Sequence, residues 1–69
     1  MFKIEKKEFN WVGNYFNPIK AWNEWVDASY PLMNDENLAC KIAKEASKNP
    51  FALGFRVVNL DNKKVVKEY

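Results

Sequence analysis

One segment of this chain, residues 34–50, has the pattern of an amphipathic α-helix and limits what the rest can form. At 100° per residue, five apolar side chains fall on one face wide enough to pack against a core: Leu38, Ala39, Ile42, Ala43 and Ala46. Asn34 is a suitable N-cap because its side-chain oxygen can accept a backbone N–H, and Asn49 and Pro50 end the pattern. The sequence therefore predicts a helix over residues 35–48.

The residues after Pro50 change to a β pattern. Branched and aromatic residues stand on both sides of the pair 61–62, Asp-Asn, and both residue types tolerate positive φ. The pattern predicts an antiparallel hairpin with two open registers. A two-residue turn would pair Val58 with Val65, whereas a longer turn would pair Val57 with Val65 and bury the other face.

Residues 17–30 fit two structures. In a helix, Asn17 would be the N-cap and Pro18 would take the favoured first position. In a strand, Asn17 and Pro18 would form a turn, and one face would be mostly apolar: Trp22, Val26, Ala28, Tyr30 and Leu32. The strand is favoured because it lets the aromatic segment 11–16 pair across the turn with residues 21–26.

The fold class predicted from these segments is α+β. Phe2 and Ile4 alternate with charged residues and indicate a first strand. We expect a small antiparallel sheet in the order β-β-α-β-β, with helix 35–48 packed on one face and a second helix at 17–30 as the alternative. A chain of 69 residues and 8.1 kDa matches one compact domain, residues 1–69.

The residue types that most enzymes and metal sites depend on are scarce. The chain has no histidine, the commonest general base and metal ligand, and one cysteine, Cys40. Gly13 and Gly54 stand alone, so neither a phosphate loop nor a dinucleotide fingerprint is present. The sequence predicts a protein that is not an enzyme and takes no metal or cofactor, with Cys40 as a half-buried small residue.

Charge and cysteine usage indicate the compartment and disfavour duplex DNA. The net charge is +2, and Arg56 is the one arginine among eleven basic residues. A single cysteine suits a reducing compartment, and residues 1–8 carry charges where a signal peptide would be apolar. We expect a cytoplasmic protein with no membrane partner. Heavy lysine and asparagine usage is typical of an AT-rich genome, such as that of a bacteriophage.

Aromatic side chains are concentrated in one stretch, residues 9–25, which contains Phe9, Trp11, Tyr15, Phe16, Trp22 and Trp25. A domain this small cannot bury all of them well, and exposed Trp and Tyr are typical binding anchors. We expect Phe9, Phe16 and Trp22 in the core. Trp25 should be an exposed contact, because on a strand it would lie among polar residues, and Trp11 and Tyr15 should follow it.

Three lysines, Lys41, Lys44 and Lys48, follow one another along the polar face of the predicted helix. Such a row is usually solvated, but it could also steer an acidic partner. The resulting hypothesis is a small intracellular binding protein, such as a phage or mobile-element accessory factor, that docks on a larger host protein and inhibits or modulates it. Its partner-binding residues would be Trp11, Tyr15, Trp25, Lys41, Lys44 and Lys48.

Two other interactions are compatible with the sequence. Exposed aromatics could stack on the bases of single-stranded RNA or DNA while lysines follow the backbone, which makes nucleic-acid binding the alternative function. A small sheet also leaves two open edges, so the sequence allows a homodimer.

Overall fold

The computed structural model describes residues 1–14 and 16–69 and has a four-stranded antiparallel sheet with one helix packed against it. The elements in chain order are β1 (Phe2–Asn14), β2 (Asn17–Asp27), α1 (Glu36–Ser47), β3 (Phe55–Asn59) and β4 (Lys64–Glu68). The strands lie in the order β2-β1-β3-β4. The α+β class is confirmed, and residues 17–27 form a strand rather than a second helix.

The long central strand β1 pairs with different neighbours along its length. Its first part pairs with β3, from Phe2 to Lys6, and its later part pairs with β2, from Glu5 to Asn14. The two pairings overlap only near Glu5 and Lys6. Beyond them the β1–β2 hairpin continues as a two-stranded extension, residues 8–14 and 17–24, which we call the arm. The molecule is correspondingly elongated, at 44 × 26 × 17 Å.

The hydrophobic core lies between α1 and the part of the sheet formed by β1 and β3. Ile4 and Val57 point from these strands onto Ala39 and Ala43 of the helix, and all four residues are fully buried. The two alanines let the helix backbone approach the sheet closely, and Met33 closes one side of the cluster. The core therefore occupies the end of the sheet opposite the arm.

The ends and the buried face of the helix differ slightly from the prediction. The N-cap is Asp35 rather than Asn34, because the Asp35 carboxylate accepts the N–H of Leu38 at 3.2 Å. The helix ends at Ser47, with Lys48 as its C-cap. Leu38, expected on the core face, is 46% exposed, because the helix turns its small alanines toward the sheet. Cys40 is half-buried against the core, as expected.

The β3–β4 hairpin forms in the first of the two predicted registers, with Val58 opposite Val65. The turn covers residues 60–63, and the residue with positive φ is Lys63, at 58°, rather than the Asp-Asn pair. A register shift one pair further along leaves Val66 as an extra residue in β4. Val66 packs against the core, so the bulge adds apolar contact to the end strand.

The turn between β1 and β2 lies earlier than predicted. Asn17 and Pro18 belong to β2, and the last pair of the hairpin joins Asn14 to Asn17. The Asn14 side chain accepts the N–H of Asn17 at 2.7 Å, which holds the turn at this position. The predicted pairing of residues 11–16 with 21–26 is therefore wrong: Trp11 lies opposite Ala21, at the start of the second segment, and residues 22–26 pair with residues 6–10.

Candidate protein-binding surface

The face of the sheet that points away from α1 carries two of the six candidate residues, Trp11 and Trp25. Side chains alternate along a strand, and Ile4 points to the helix, so the odd-numbered residues of β1 and their cross-strand partners point the other way. We call this surface the open face. Its members on β1, β2 and β3 are Lys3, Glu5, Lys7, Phe9, Trp11, Ala21, Asn23, Trp25, Asp27, Arg56 and Val58.

Trp25 is held between charged side chains at the base of the arm. The Arg56 guanidinium lies 4.5 Å from the centre of the Trp25 ring, and the Lys7 ammonium lies 5.3 Å from it. A Cβ added to Gly54 would lie 3.7 Å from the indole, so the ring reaches across β1 to the start of β3. Trp25 is half-buried as a result, so it is less exposed than the contact residue that the sequence predicted, and it packs at this junction.

A small ion-pair network fixes the charged side chains around this tryptophan. Arg56 donates from Nε to Glu5 at 2.7 Å, and the Lys3 ammonium lies 3.6 Å from the other Glu5 oxygen. The side chains of Glu5 and Arg56 are only 16% and 25% exposed, which makes this pair stronger than a solvated one. The inner part of the open face is therefore pre-organised.

Phe9 and Trp11 lie further out on the same face, where the arm leaves the sheet. They are 55% and 43% exposed, because their cross-strand partners, Asn23 and Ala21, are small and do not cover the rings. The expectation that Phe9 belongs to the core is wrong: α1 packs at the other end of the sheet. Trp11 is an exposed aromatic residue, as the sequence predicted.

The other two aromatic residues expected in the core lie at the tip of the arm, for Phe16, and within it, for Trp22. Phe16, next to the turn, is 93% exposed, so its predicted burial is wrong for the same reason. Trp22 is half-buried and lies on the face opposite Trp11. Its indole N–H donates to Glu24 at 3.2 Å, and the Lys20 ammonium lies 5.5 Å from its ring. Polar neighbours on the arm thus replace the apolar core that was expected.

The predicted lysine row does not join the aromatic residues. Lys41, Lys44 and Lys48 are exposed on α1, and the Lys48 ammonium lies 3.1 Å from the Glu45 carboxylate. The helix packs on one side of the sheet while Trp11 and Trp25 belong to the other, so the sheet separates the two groups. Tyr15 lies outside the described residues.

A surface depression that the sequence did not predict lies beside the arm, with a volume of about 370 Å³. It is lined by residues 6–9 of β1 and by residues 49 and 51–55, which lead from α1 into β3. Phe51 and Leu53 were expected in a strand, but β3 begins at Phe55, and both side chains are mainly exposed. The one sequence signal for this feature is an apolar run directly after Pro50.

Among the titratable groups of the described residues, the hydroxyl of Tyr69 has a shifted pKa. Partial burial, and then the hydrogen bond and charge interaction with the Cys40 thiol, raise the pKa of the Tyr69 hydroxyl above 10.0. Both residues belong to the core end rather than to the open face.

No cluster of three potential metal-ligating side chains is found in residues 1–14 and 16–69. Within those residues no helix has the length and apolar character needed to cross a bilayer.

Comparison with known proteins gives no match. This holds for protein-family models, for curated proteins and for solved structures. The site is therefore defined by its own geometry: a fixed inner part around Trp25 and an exposed outer part formed by Phe9 and Trp11.

Proposed function

We propose that this chain is a non-enzymatic binding module that docks on a larger protein through the open face of its arm. The observation that carries the proposal is the position of Phe9 and Trp11, which lie two residues apart on one strand and stay about half exposed. Aromatic side chains offer a large contact area at low entropic cost, and they dominate the energetics of many interfaces. Their placement on a paired strand lowers the cost of ordering them on binding.

The distribution of charge favours a protein partner over single-stranded nucleic acid. Binding of a single strand needs cations that follow its backbone beside the stacked bases. On the open face, Lys3 and Arg56 already contact Glu5, and Lys7 lies against Trp25. The exposed lysine row of α1 belongs to the other side of the sheet. The outer part of the face is accordingly aromatic with little unpaired positive charge, which suits a mainly apolar protein surface.

In this proposal the protein acts by covering a surface of its partner rather than by chemistry. Binding to a host protein in the cytoplasm would then inhibit or modulate that protein, as expected of a phage or mobile-element accessory factor. The arm is suited to such a role because it projects about 23 Å, at 3.3 Å for each of seven residues, and can reach into a concave site.

Affinity capture followed by measured binding tests the proposal. Wild type and Trp11→Ala would be used as baits in a lysate with and without nuclease, and the captured partner would then be titrated by calorimetry. We expect Trp11→Ala to weaken binding about 30-fold, which corresponds to about 2 kcal/mol. The matched control is Val65→Ala, which removes another exposed apolar side chain from β4, far from the arm; it should bind as wild type.

Two outcomes would contradict the proposal. If Trp11→Ala folds normally and binds the partner with unchanged affinity, the arm is not the docking surface. If nuclease releases everything that wild type captures, and the protein binds oligonucleotides at low salt, nucleic acid is the ligand instead.

A further inference from the structure

The edge of β1 in the arm has unused hydrogen-bonding capacity. The N–H of Lys7 donates to the carbonyl of Gly54 at 2.9 Å, which among the described residues is the last backbone hydrogen bond between β1 and the β3 side. Backbone groups alternate along a strand, so the N–H and C=O of Phe9 and Trp11 point to the same side as those of Lys7. Among the described residues, no strand lies beside them there.

This edge carries neither lysine nor proline, two of the features that usually prevent strands from pairing with other chains; its one irregularity is a register shift against β2 between Val12 and Gly13, where Gly13 has φ of 123°. Residues 8–14 contain no lysine, arginine or proline. By contrast β4, which forms an outer edge of the sheet, carries Lys64 and Lys67 over its five residues. Because lysines on an edge discourage pairing, the edge of β1 is the more suitable of the two for a further strand.

We propose that a second copy of this chain pairs with this edge, antiparallel and centred on Trp11. Each Trp11 then lies opposite Trp11 of the second copy, and Phe9 lies opposite Gly13. In this register Asn14 of one copy reaches Glu8 of the other, so the pairing stops one residue before Lys7, whose N–H is already bonded to Gly54. The unpaired edge runs over residues 8–14, and Trp11 is the centre of the pairing because it is the middle residue of this segment.

The side chains brought together by this register are complementary. Gly13 has no side chain, so the ring of Phe9 can lie over its backbone, as aromatic residues do beside glycines in paired strands. The one charged residue in this segment, Glu8, lies opposite Asn14, so no like charges meet. The Phe9 and Trp11 rings of both copies would form one continuous aromatic surface.

The antiparallel arrangement also places the two cores at opposite ends of the dimer. Asn14 of each copy then lies near the depression of the other, where Phe51 and Leu53 are exposed. The contact would thus cover apolar surface in addition to the hydrogen bonds of the strands. This inference goes beyond the proposed function, and its tests need no binding partner.

Backbone N-methylation tests which edge is used. The chain can be synthesised as two fragments joined at Cys40, with an N-methyl group at Trp11 or, as the matched control, at Ala21. These residues face each other in the arm, but the N–H of Trp11 points to the unpaired edge and that of Ala21 points away from β1. Neither change breaks a β1–β2 hydrogen bond, and circular dichroism would verify that both variants fold.

Sedimentation over a concentration series gives the result. We expect wild type and the N-methyl-Ala21 protein to form dimers, and N-methylation of Trp11 to raise the dissociation constant at least tenfold. The proposal is overturned if wild type is a monomer at every concentration, if the dimer survives N-methylation of Trp11, or if methylation of Ala21 abolishes it.

A disulfide experiment tests the register separately. In a Cys40→Ser background, Asn10→Cys and Val12→Cys would be made as two single variants. Residue 10 of one copy lies opposite residue 12 of the other, at about 4.5 Å between Cα atoms, which a disulfide can span. A mixture of the two variants should form the cross-linked pair under mild oxidation, and neither variant alone should do so. Equal cross-linking in the single-variant samples, or none in the mixture, would refute the register.

Discussion

The guanidinium of Arg56 lies 4.5 Å from the centre of the Trp25 ring, although the two residues belong to strands that are not adjacent. Arg56 is on β3 and Trp25 is on β2, so their contact crosses β1 at the point where the arm begins. Glu5 of β1 binds the same guanidinium at 2.7 Å. One arginine therefore joins three strands, and it supports the arm that carries the candidate site.

Arg56→Lys should lower the free energy of unfolding by about 1 kcal/mol, because an ammonium group cannot stack on the ring and keep the same bond to Glu5. Urea denaturation measures the change. In a Trp25→Leu background the same substitution should cost less, since the stacking partner is already gone. An equal cost in both backgrounds would show that the ring contact contributes nothing.

Trp25→Ala should destabilise the fold by about 2 kcal/mol, because the half-buried indole packs over Gly54 and between two cations. Trp11→Ala should cost less than about 1 kcal/mol, since Trp11 is more exposed and has a small cross-strand partner. Thermal and urea unfolding of the two variants make the comparison. A larger loss for Trp11→Ala would contradict the division into a structural and a binding tryptophan.

Gly54→Ala should destabilise the protein by about 1–2 kcal/mol. Gly54 has φ of +156°, and an added Cβ would lie 3.2 Å from the backbone oxygen of Tyr69, which already accepts the N–H of Phe55. Ala52→Gly, two residues earlier in the same loop, is the control and should change stability by less than about 1 kcal/mol. Unchanged unfolding of Gly54→Ala would mean that this junction relaxes freely.

Asp35→Ala should lower the free energy of unfolding by about 1 kcal/mol, because it removes the acceptor for the Leu38 N–H. Asn34→Ala, one residue earlier, should have an effect below about 0.5 kcal/mol. Urea denaturation of the two variants distinguishes the caps, and the reverse order of effects would identify Asn34 as the N-cap.

Stability should fall as the pH rises above about 10, the ordinary pKa of tyrosine. The pKa of Tyr69 is raised in the folded protein, so the unfolded chain loses this proton first and is favoured at high pH. Tyr69→Phe should remove this part of the decline in a pH series of urea titrations.

Cys40→Ala should move the pKa of Tyr69 back toward 10.0, as followed by ultraviolet absorbance with the other tyrosines replaced by phenylalanine. An unchanged titration would exclude the thiol as a cause.

Local sequence patterns were sufficient for the helix and for the presence of a hairpin after Pro50, and they favoured a strand over a second helix at residues 17–27 without deciding between them. Each depends on interactions between residues close in the chain: capping and a 3.6-residue period for α1, and turn residues between alternating segments for the strands. The excess of aromatic residues over what a small core can hold was also evident from the sequence, and Trp11 is exposed accordingly, but the sequence did not show that Phe9 and Phe16 would be exposed as well.

The offset between strands could not be read from local patterns. β3 pairs with the start of β1 and β2 with its end, and this stagger leaves the arm outside the core. The stagger exposes Phe9 and buries about half of Trp25, and it puts the sheet between these aromatic residues and the lysines of α1. These outcomes depend on contacts between residues far apart in sequence, such as Glu5 with Arg56 and Ile4 with Ala43. Composition and period thus determined which elements form, and packing decided which aromatic side chains stay exposed.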